Sequence, residues 1–147
     1  MKRFLLLIFS LTFFILVTWA QEDDICGYWR TLKGNTQIQI FKEANGKFYG
    51  KVVWLRYQKD RLDLKNPDEK LKSRKILGLQ IINHFVYNED SKIWGKGTIY
   101  DPENGKTYNC YIWFDKSKDI LKIKGFVLGI KLLGREAMWI RETILKK

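Results

Sequence analysis

Three oxygen-bearing residues stand close together in the sequence TIYDPENGKTYNCYIWF, which covers residues 98–114. Asp101, Glu103 and Asn104 could hold a cation, supply one carboxylate of a catalytic pair, or form a tight turn between two strands. Their spacing does not match a calcium-binding loop, and Pro102 stiffens the segment. Pro102 suits the first central position of a turn, and an asparagine followed by Gly105 suits left-handed backbone angles. We therefore interpret the segment as a hairpin turn capped by Asp101.

The other residues that could carry catalysis form no recognisable constellation. His84 is the single histidine of the chain, and no nucleophile elbow accompanies it. One histidine and two distant cysteines cannot supply a four-ligand zinc site without carboxylates. The acidic residues offer many pairs, so none of them specifically indicates hydrolysis by two carboxylates. The sequence predicts no catalytic residue, no metal site and no cofactor, and a hydrolase or isomerase using Asp101 or His84 remains the enzyme alternative.

Aromatic residues and arginines support a binding function better. Five of the six tryptophans are spread over five candidate strands. If they face inward, they line either a packed core or an apolar pocket. A guanidinium at the mouth of such a pocket could hold an anionic head group. The predicted ligand-binding residues are Trp54, Asn66, Arg74, Asp101, Tyr108, Trp113, Arg135 and Trp139.

These side chains must be positioned by β-strands, because apolar and polar residues alternate along most of the chain. The predicted strands cover residues 28–32, 36–42, 47–55, 79–87, 93–100, 106–114, 120–128 and 136–141. Eight short strands joined by hairpins suggest an antiparallel barrel or a sandwich. Glycines within the strands favour the barrel, because barrel strands bend sharply. We expect an all-β fold with a single antiparallel up-and-down β-barrel.

The longest connection between predicted strands, residues 56–75, is highly charged and contains the turn-forming sequence Asn66-Pro67-Asp68. Connections of this length are uncommon unless they are functional or disordered. A short helical turn is expected near residues 68–75. We expect the connection to act as a lid or a binding loop.

Residues 1–20 have the pattern of a secretory signal peptide. Lys2 and Arg3 precede an apolar run, and Ala20 precedes an acidic stretch. We expect cleavage after Ala20, with a retained membrane anchor as the alternative. The run is short for a membrane span, which needs about 20 apolar residues, and no second segment is long enough. The predicted organisation is a signal peptide, 1–20, and one exported β-barrel domain, 21–147, in the periplasm or the medium.

The chain is basic, and this charge indicates which kinds of partner it could bind. Its formal net charge of +11 falls to +9 when Lys2 and Arg3 are removed with residues 1–20. Lysines alternate with apolar residues. This pattern indicates attraction to an anionic partner, either an envelope surface or an acidic ligand. The alternative is that the lysines form a solvated face without a partner. No nucleic-acid-binding motif accompanies the charge, so nucleic acid is not an expected partner. We expect a monomer.

Two cysteines, Cys26 and Cys110, would lie in an oxidising compartment after export. A disulfide between them is one expectation. The alternative is that Cys110 is an inward-facing core residue and Cys26 is a free thiol near the new N-terminus.

Two resemblances add to this interpretation. The Gly27-Tyr28-Trp29 segment and Arg141 resemble the lipocalin pattern, in which a tryptophan at the barrel base packs beneath a late arginine. Nearly the whole mature chain resembles the bacterial secreted family known as domain of unknown function 2147. The segments that carry this likeness are GYW (27–29), GKVVWL (50–55), NPDEKLKSRKILGL (66–79), WGKGTIYDPENGKTY (94–108), IKGF (123–126) and LLGREAMWIR (132–141).

The family resemblance implies a lipocalin-like barrel and supplies no catalytic residues. Lys124 and Glu136 depart from the family pattern, where arginine and threonine are usual. The preferred hypothesis is a non-enzymatic exported barrel that binds a small apolar or amphiphilic ligand, with or without an acidic head group. The alternative is an envelope protein–protein interaction or inhibitor module that has no internal ligand.

Overall fold

The computed structural model describes residues 21–126 and 135–147. Its strands are β1 (Gly27–Thr31), β2 (Thr36–Lys42), β3 (Phe48–Leu55), β4 (Gln80–Asn88), β5 (Ile93–Asp101), β6 (Lys106–Phe114), β7 (Ile120–Phe126) and β8 (Arg135–Glu142). Short 3₁₀ turns cover Gln21–Ile25 and Glu69–Leu71. Where the strands are described, their bounds lie within one residue of the predicted ones. The predicted signal peptide, 1–20, and the last two residues of the predicted 120–128 strand lie outside the described residues.

The eight strands form one closed antiparallel barrel in sequence order. Each strand pairs with the next, and β8 pairs with β1, where Trp29 stands opposite Arg141. Among the described strands, closure leaves no edge unpaired, which removes the usual template for edge-to-edge association. The predicted all-β, eight-stranded up-and-down barrel is confirmed.

Because strand connections alternate between the two ends of such a barrel, the connections fall into two groups. The closed end consists of residues 21–26, which precede β1, and connections 43–47, 89–92 and 115–119. The loop end consists of connections 32–35, 56–79 and 102–105. In the described residues, no helix is long and apolar enough to cross a membrane.

The barrel interior near the closed end is packed with aromatic side chains. Trp29, Phe48, Phe85 and Trp94 are fully buried there. The rings of Phe48 and Trp94 meet edge to face with centroids 6.4 Å apart, an arrangement that favours the ring quadrupoles. Gly97 makes room for Phe85, since a Cβ at this position would lie 2.2 Å from the phenylalanine ring. A single methyl group there would force the core to rearrange.

Arg141 seals the closed end. Its guanidinium carbon lies 4.3 Å from the centre of the Trp29 ring, which is a cation–π contact. The same group donates hydrogen bonds to three backbone carbonyls, those of Asp24 (2.6 Å), Lys118 (2.9 Å) and Cys26 (3.3 Å). Burial lowers the pKa of Arg141. The guanidinium ties the N-terminal segment to the barrel base. Its packing on Trp29 is the contact that the resemblance to the lipocalin pattern implies.

Candidate ligand-binding site

The inner face of β8 runs from the packed core to solvent. The pairing of β8 with β7 is regular, so Arg141, Trp139, Ala137 and Arg135 share one face of the strand. Arg141 covers the core residue Trp29, and Trp139 is only 7% exposed. Ala137 and Arg135, farther toward the loop end, are exposed. On the inner face of β8, therefore, the part toward the loop end is accessible to solvent.

Gly125 on β7 leaves a gap in this part of the inner face. It stands opposite Arg135 on one side and Cys110 on the other. A Cβ at Gly125 would lie 3.4 Å from both the Sγ of Cys110 and the Cβ of Tyr108. Tyr108 and Arg135 consequently lie on the two strands that flank a position without a side chain. The gap is about the size of one methyl group.

The turn after β5 fixes Tyr108. The amide nitrogen of Asn104 donates 2.9 Å hydrogen bonds to both the Tyr108 hydroxyl and Oδ2 of Asp101. Oδ1 of Asp101 accepts from the backbone N–H of Glu103 at 2.9 Å, and Gly105 takes a positive φ of 71°. The hairpin interpretation is confirmed, and both carboxylate oxygens of Asp101 are used within the turn. The Tyr108 hydroxyl accepts in its bond and keeps its own proton to donate.

Arg135 carries the charge of this site. Within the described residues it forms no ion pair, whereas most other arginines of the barrel contact a carboxylate. An arginine presents several N–H donors in a planar fork that matches a carboxylate or a phosphate. An exposed guanidinium on the inner face can therefore receive an anionic group.

Asn66 and Arg74 lie in a different place from the barrel mouth. They belong to a network around Asp63, a carboxylate with no exposed surface. Oδ2 of Asp63 accepts from Arg74 Nε at 2.9 Å and from Asn66 Nδ2 at 2.8 Å. Oδ1 accepts from the hydroxyl of Tyr100 on β5. Because the neighbouring Ile99 faces inward, the side chain of Tyr100 faces outward. The network fastens the long connection to the outer wall of the barrel.

Trp54 and Trp113 stand on the outer face instead of the inner face that we expected. Trp54 Nε1 donates to the carbonyl of Lys147 at 3.1 Å, and its strand neighbour is the fully buried Gln37. The β2–β3 register shifts beside Gln37, and this extra residue sets which way Trp54 points. Trp113 alternates with Ile112, which is buried in the core, so its ring faces outward.

Cys26 and Cys110 are both free thiols in the structure. Cys110 is buried on the inner face of β6, and burial raises its pKa to about 12. Cys26 lies at the closed end, where its carbonyl binds Arg141 and burial raises the pKa of its thiol. This arrangement is that of the alternative interpretation, in which Cys110 is a core residue and Cys26 is a free thiol.

Of the eight predicted binding residues, four are thus on the inner face toward the loop end: Asp101, Tyr108, Arg135 and Trp139. Sequence reasoning missed Ala137 and Gly125, which shape the gap, and Asp63 and Tyr100, which hold the long connection. His84 is exposed on β4, with its ring 5.2 Å from that of Tyr49. No group of residues in the described chain has the arrangement of a metal site.

Comparisons with known proteins agree with this architecture. The model of a family described as an uncharacterized protein conserved in bacteria (DUF2147) matches residues 27–141. The structure is similar to that of protein HP1028 from the human pathogen Helicobacter pylori, described as belonging to the lipocalin family. The TM-score is 0.69 at 22% sequence identity, and the match covers 81% of this chain and 83% of that one. At this identity the likeness shows a lipocalin-like barrel fold. No curated protein matches the sequence.

Proposed function

The chain belongs to the bacterial DUF2147 family, and from this premise we propose that it is an exported, non-enzymatic barrel that binds a small amphiphilic ligand. The ligand's apolar part enters the barrel at the loop end. Its head group is anionic and contacts Arg135. The cell envelope is the place where the protein acts, in keeping with the signal-peptide pattern of residues 1–20.

One observation carries the proposal: the inner face of β8 is exposed at Ala137 and Arg135 but buried at Trp139. An inner face that passes from solvent to an aromatic floor within one strand is the geometry of a shallow apolar cup. Ligand sites of this kind are mostly apolar, with a few polar groups that fix the orientation. Trp139 and Ala137 offer the apolar wall, and Arg135 offers the charge.

The depth of the cup limits the size of the ligand. Trp29, Phe48, Phe85 and Trp94 already fill the interior near the closed end. An apolar chain can therefore occupy only the part of the barrel between the loop end and this aromatic layer. The gap at Gly125 adds room beside Tyr108, whose hydroxyl can donate to the ligand head group.

The same geometry weighs against the enzyme alternative. Both oxygens of Asp101 accept hydrogen bonds within the hairpin turn, which leaves that carboxylate occupied as a structural cap. His84 lies exposed on β4, its ring against Tyr49, and its backbone has a positive φ of 62° at an irregularity in the β3–β4 pairing.

Calorimetric titration with dodecanoate and with dodecanol tests the proposal, because the two probes share an alkyl chain and differ in charge. We expect Arg135→Gln to weaken dodecanoate binding about tenfold or more, since hydrogen bonds to charged groups contribute ~1.5–3 kcal/mol. Dodecanol binding should not change. Arg56→Gln, which removes an exposed charge at the same end, is the matched control and should behave like the wild type.

A second variant tests the apolar cup independently of the charge of Arg135. Gly125→Val places a side chain in the gap, and no positive φ opposes the substitution. We expect it to weaken the binding of both probes. If neither probe binds the wild type, or if Arg135→Gln and Gly125→Val bind both probes like the wild type, the proposal is wrong. Native mass spectrometry of the protein from its own envelope would then identify a co-purifying ligand where one is bound.

An interaction module remains a second candidate because of one feature of the outer wall. An open groove of about 340 Å³ lies between the β4–β5 turn and β6 and is lined by Lys92, Tyr111 and Trp113, among others. Tryptophan and tyrosine are enriched at protein interfaces relative to the rest of the protein surface. Trp113→Ala would abolish capture of a partner protein and leave dodecanoate binding intact, which distinguishes the two functions.

A further inference from the structure

Exposed apolar side chains are concentrated at one end of the barrel. The described chain has nine large apolar residues that are substantially exposed, and six of them lie in the connections of the loop end. None of the nine lies in the connections of the closed end. The six are Leu32 (62%), Tyr57 (69%), Leu62 (36%), Leu64 (65%), Leu71 (38%) and Leu77 (37%). Clustered exposed apolar side chains mark an interaction surface, whereas scattered ones need no explanation.

The charges of the barrel are polarised along the same axis. The three described connections of the loop end contain nine basic and five acidic residues, a net charge of +4. The closed-end segments contain four basic and eight acidic residues, a net charge of −4. A protein with this distribution turns its loop end toward a negatively charged surface before contact, because the summed field orients it.

Several basic residues of the loop end are available to a partner. In the described chain Arg56, Lys59 and Lys70 form no ion pair, and all three are exposed. Other basic residues there are already paired, as Lys75 is with Asp60 and Lys72 with Glu69. The loop end therefore offers unpaired positive charge beside exposed leucine and tyrosine side chains.

The exposed residues stand on an ordered platform. Leu62 forms a β-bridge with Lys75, and the N–H of Ile76 donates to the carbonyl of Arg61 at 2.9 Å. The buried Asp63 network anchors the segment between Leu62 and Leu64 to β5. Because the backbone is fixed in this way, the two leucines stay exposed instead of folding back onto the barrel.

We propose that the loop end docks on the surface of an anionic phospholipid bilayer. Lysine and arginine side chains would meet the lipid head groups, and Tyr57, Leu62 and Leu64 would enter the boundary between head groups and acyl chains. This combination of basic and apolar residues is how peripheral proteins bind such an interface. Docking would bring the loop end of the barrel against the membrane. It does not depend on whether the barrel carries a ligand.

Co-sedimentation with lipid vesicles tests the docking. The exported protein is used, and its intact mass establishes that residues 1–20 have been removed. Vesicles contain phosphatidylcholine alone or phosphatidylcholine with one third phosphatidylglycerol. We expect binding only to the anionic vesicles and a strong decrease with added salt, because salt screens exposed charges.

Variants with matched controls locate the surface. Leu64→Asp removes an exposed apolar residue of the loop end, and Val86→Asp is the control, since Val86 is 36% exposed and lies on the part of β4 next to the closed end. The double variant Lys59→Gln with Lys70→Gln is matched by Lys47→Gln with Lys116→Gln at the closed end, where both lysines are exposed. Each charge lost from the loop end should weaken vesicle binding about fivefold, so the double variant should lose about 25-fold. The controls should bind like the wild type.

Three results would overturn the docking proposal. One is failure of the wild type to bind anionic vesicles. Another is equal weakening by loop-end variants and their closed-end controls, which would indicate binding without orientation. The third is displacement of the protein by millimolar glycerol phosphate while Leu64→Asp binds normally, which would indicate recognition of a free head group. Failure of docking leaves the dodecanoate experiment unaffected, because that titration contains no membrane.

Discussion

The hydroxyl of Tyr100 on β5 donates a 2.5 Å hydrogen bond to Oδ1 of Asp63, a carboxylate with no exposed surface in the long connection. These residues are separated by 37 positions in the sequence. Arg74 supplies the compensating charge to the other oxygen, with Nη2 at 2.9 Å from Oδ2. A charged group can be buried when its partners satisfy it in this way, and losing a partner is costly. The position of the long connection therefore depends on one carboxylate.

Asp63→Ala should destabilise the fold by about 3–5 kcal/mol, because it leaves the buried partners of the carboxylate without an acceptor. Tyr100→Phe should cost less, about 1.5–3 kcal/mol, since Asp63 keeps its bonds to Arg74 and Asn66. Lys75→Gln breaks an exposed ion pair with Asp60 and should leave stability unchanged. Urea denaturation measures all three. A smaller effect for Asp63→Ala than for Tyr100→Phe would contradict the role assigned to the carboxylate.

Alkaline pH should weaken the same contact. Burial raises the pKa of Tyr100, and its hydrogen bond to Asp63 raises it further. In the unfolded chain a tyrosine loses its proton near pH 10, so above this pH the folded state binds more protons than the unfolded state. Stability is therefore fully present below about pH 10 and is lost as the pH rises through the folded-state pKa. The urea midpoint of the wild type should fall more steeply above about pH 10 than that of Tyr100→Phe. Equal slopes would show that the tyrosine is not linked to folding.

Much of the barrel could be predicted because each of its strands carries its own signal. In 106–114, for example, the alternation that predicted a strand also places Cys110 and Ile112 on one face, and the structure buries both. Asp101 and Gly105 predicted the turn, since capping and a positive φ are local properties of those residues. Local rules of this kind need no knowledge of the rest of the fold.

The candidate site was less predictable because it depends on relations across strands. Trp54 faces outward because of a register shift between β2 and β3, and a single residue of shift reverses every side chain after it. The Asp63–Tyr100 bond joins a loop to a strand, with no sequence signal that relates the two. Gly125 is one of the glycines within strands that indicate a barrel, but its place opposite Arg135 follows only from the pairing of the closed barrel.

The two thiols should differ in reactivity. Burial raises the pKa of Cys110 to about 12, and only a thiolate attacks a disulfide reagent. At about pH 8 we expect Ellman's reagent to label Cys26 slowly and Cys110 only after unfolding. Cys26→Ser should abolish the labelling of the folded protein, and Cys110→Ser should leave it unchanged. An intact mass lower by two hydrogen atoms would instead reveal a disulfide.

Gly105 couples the hairpin turn to the long connection. Its φ is 71°, and a Cβ would lie 1.8 Å from the carbonyl oxygen of Lys65. Gly46 has a similar φ of 76° with no atom within 4 Å of a Cβ, so it is a matched control. Gly46→Ala should lower the free energy of unfolding by about 1 kcal/mol, because alanine is unfavourable in the left-handed backbone conformation. Gly105→Ala should cost about 1–3 kcal/mol more, because two backbone segments must separate.

Limited proteolysis should also detect the separation of the long connection from the hairpin turn in Gly105→Ala, without unfolding the protein. The connection that contains Lys65 is rich in lysine and arginine, so trypsin should cleave it faster once it leaves the turn. Gly105→Ala should therefore raise the rate of limited proteolysis within residues 56–75, and Gly46→Ala should leave that rate at the wild-type value. Equal stability losses in the two variants, with the same cleavage rate, would mean that the turn and the connection are not coupled. Faster cleavage in Gly105→Ala alone would establish the hairpin as the support on which the long connection rests.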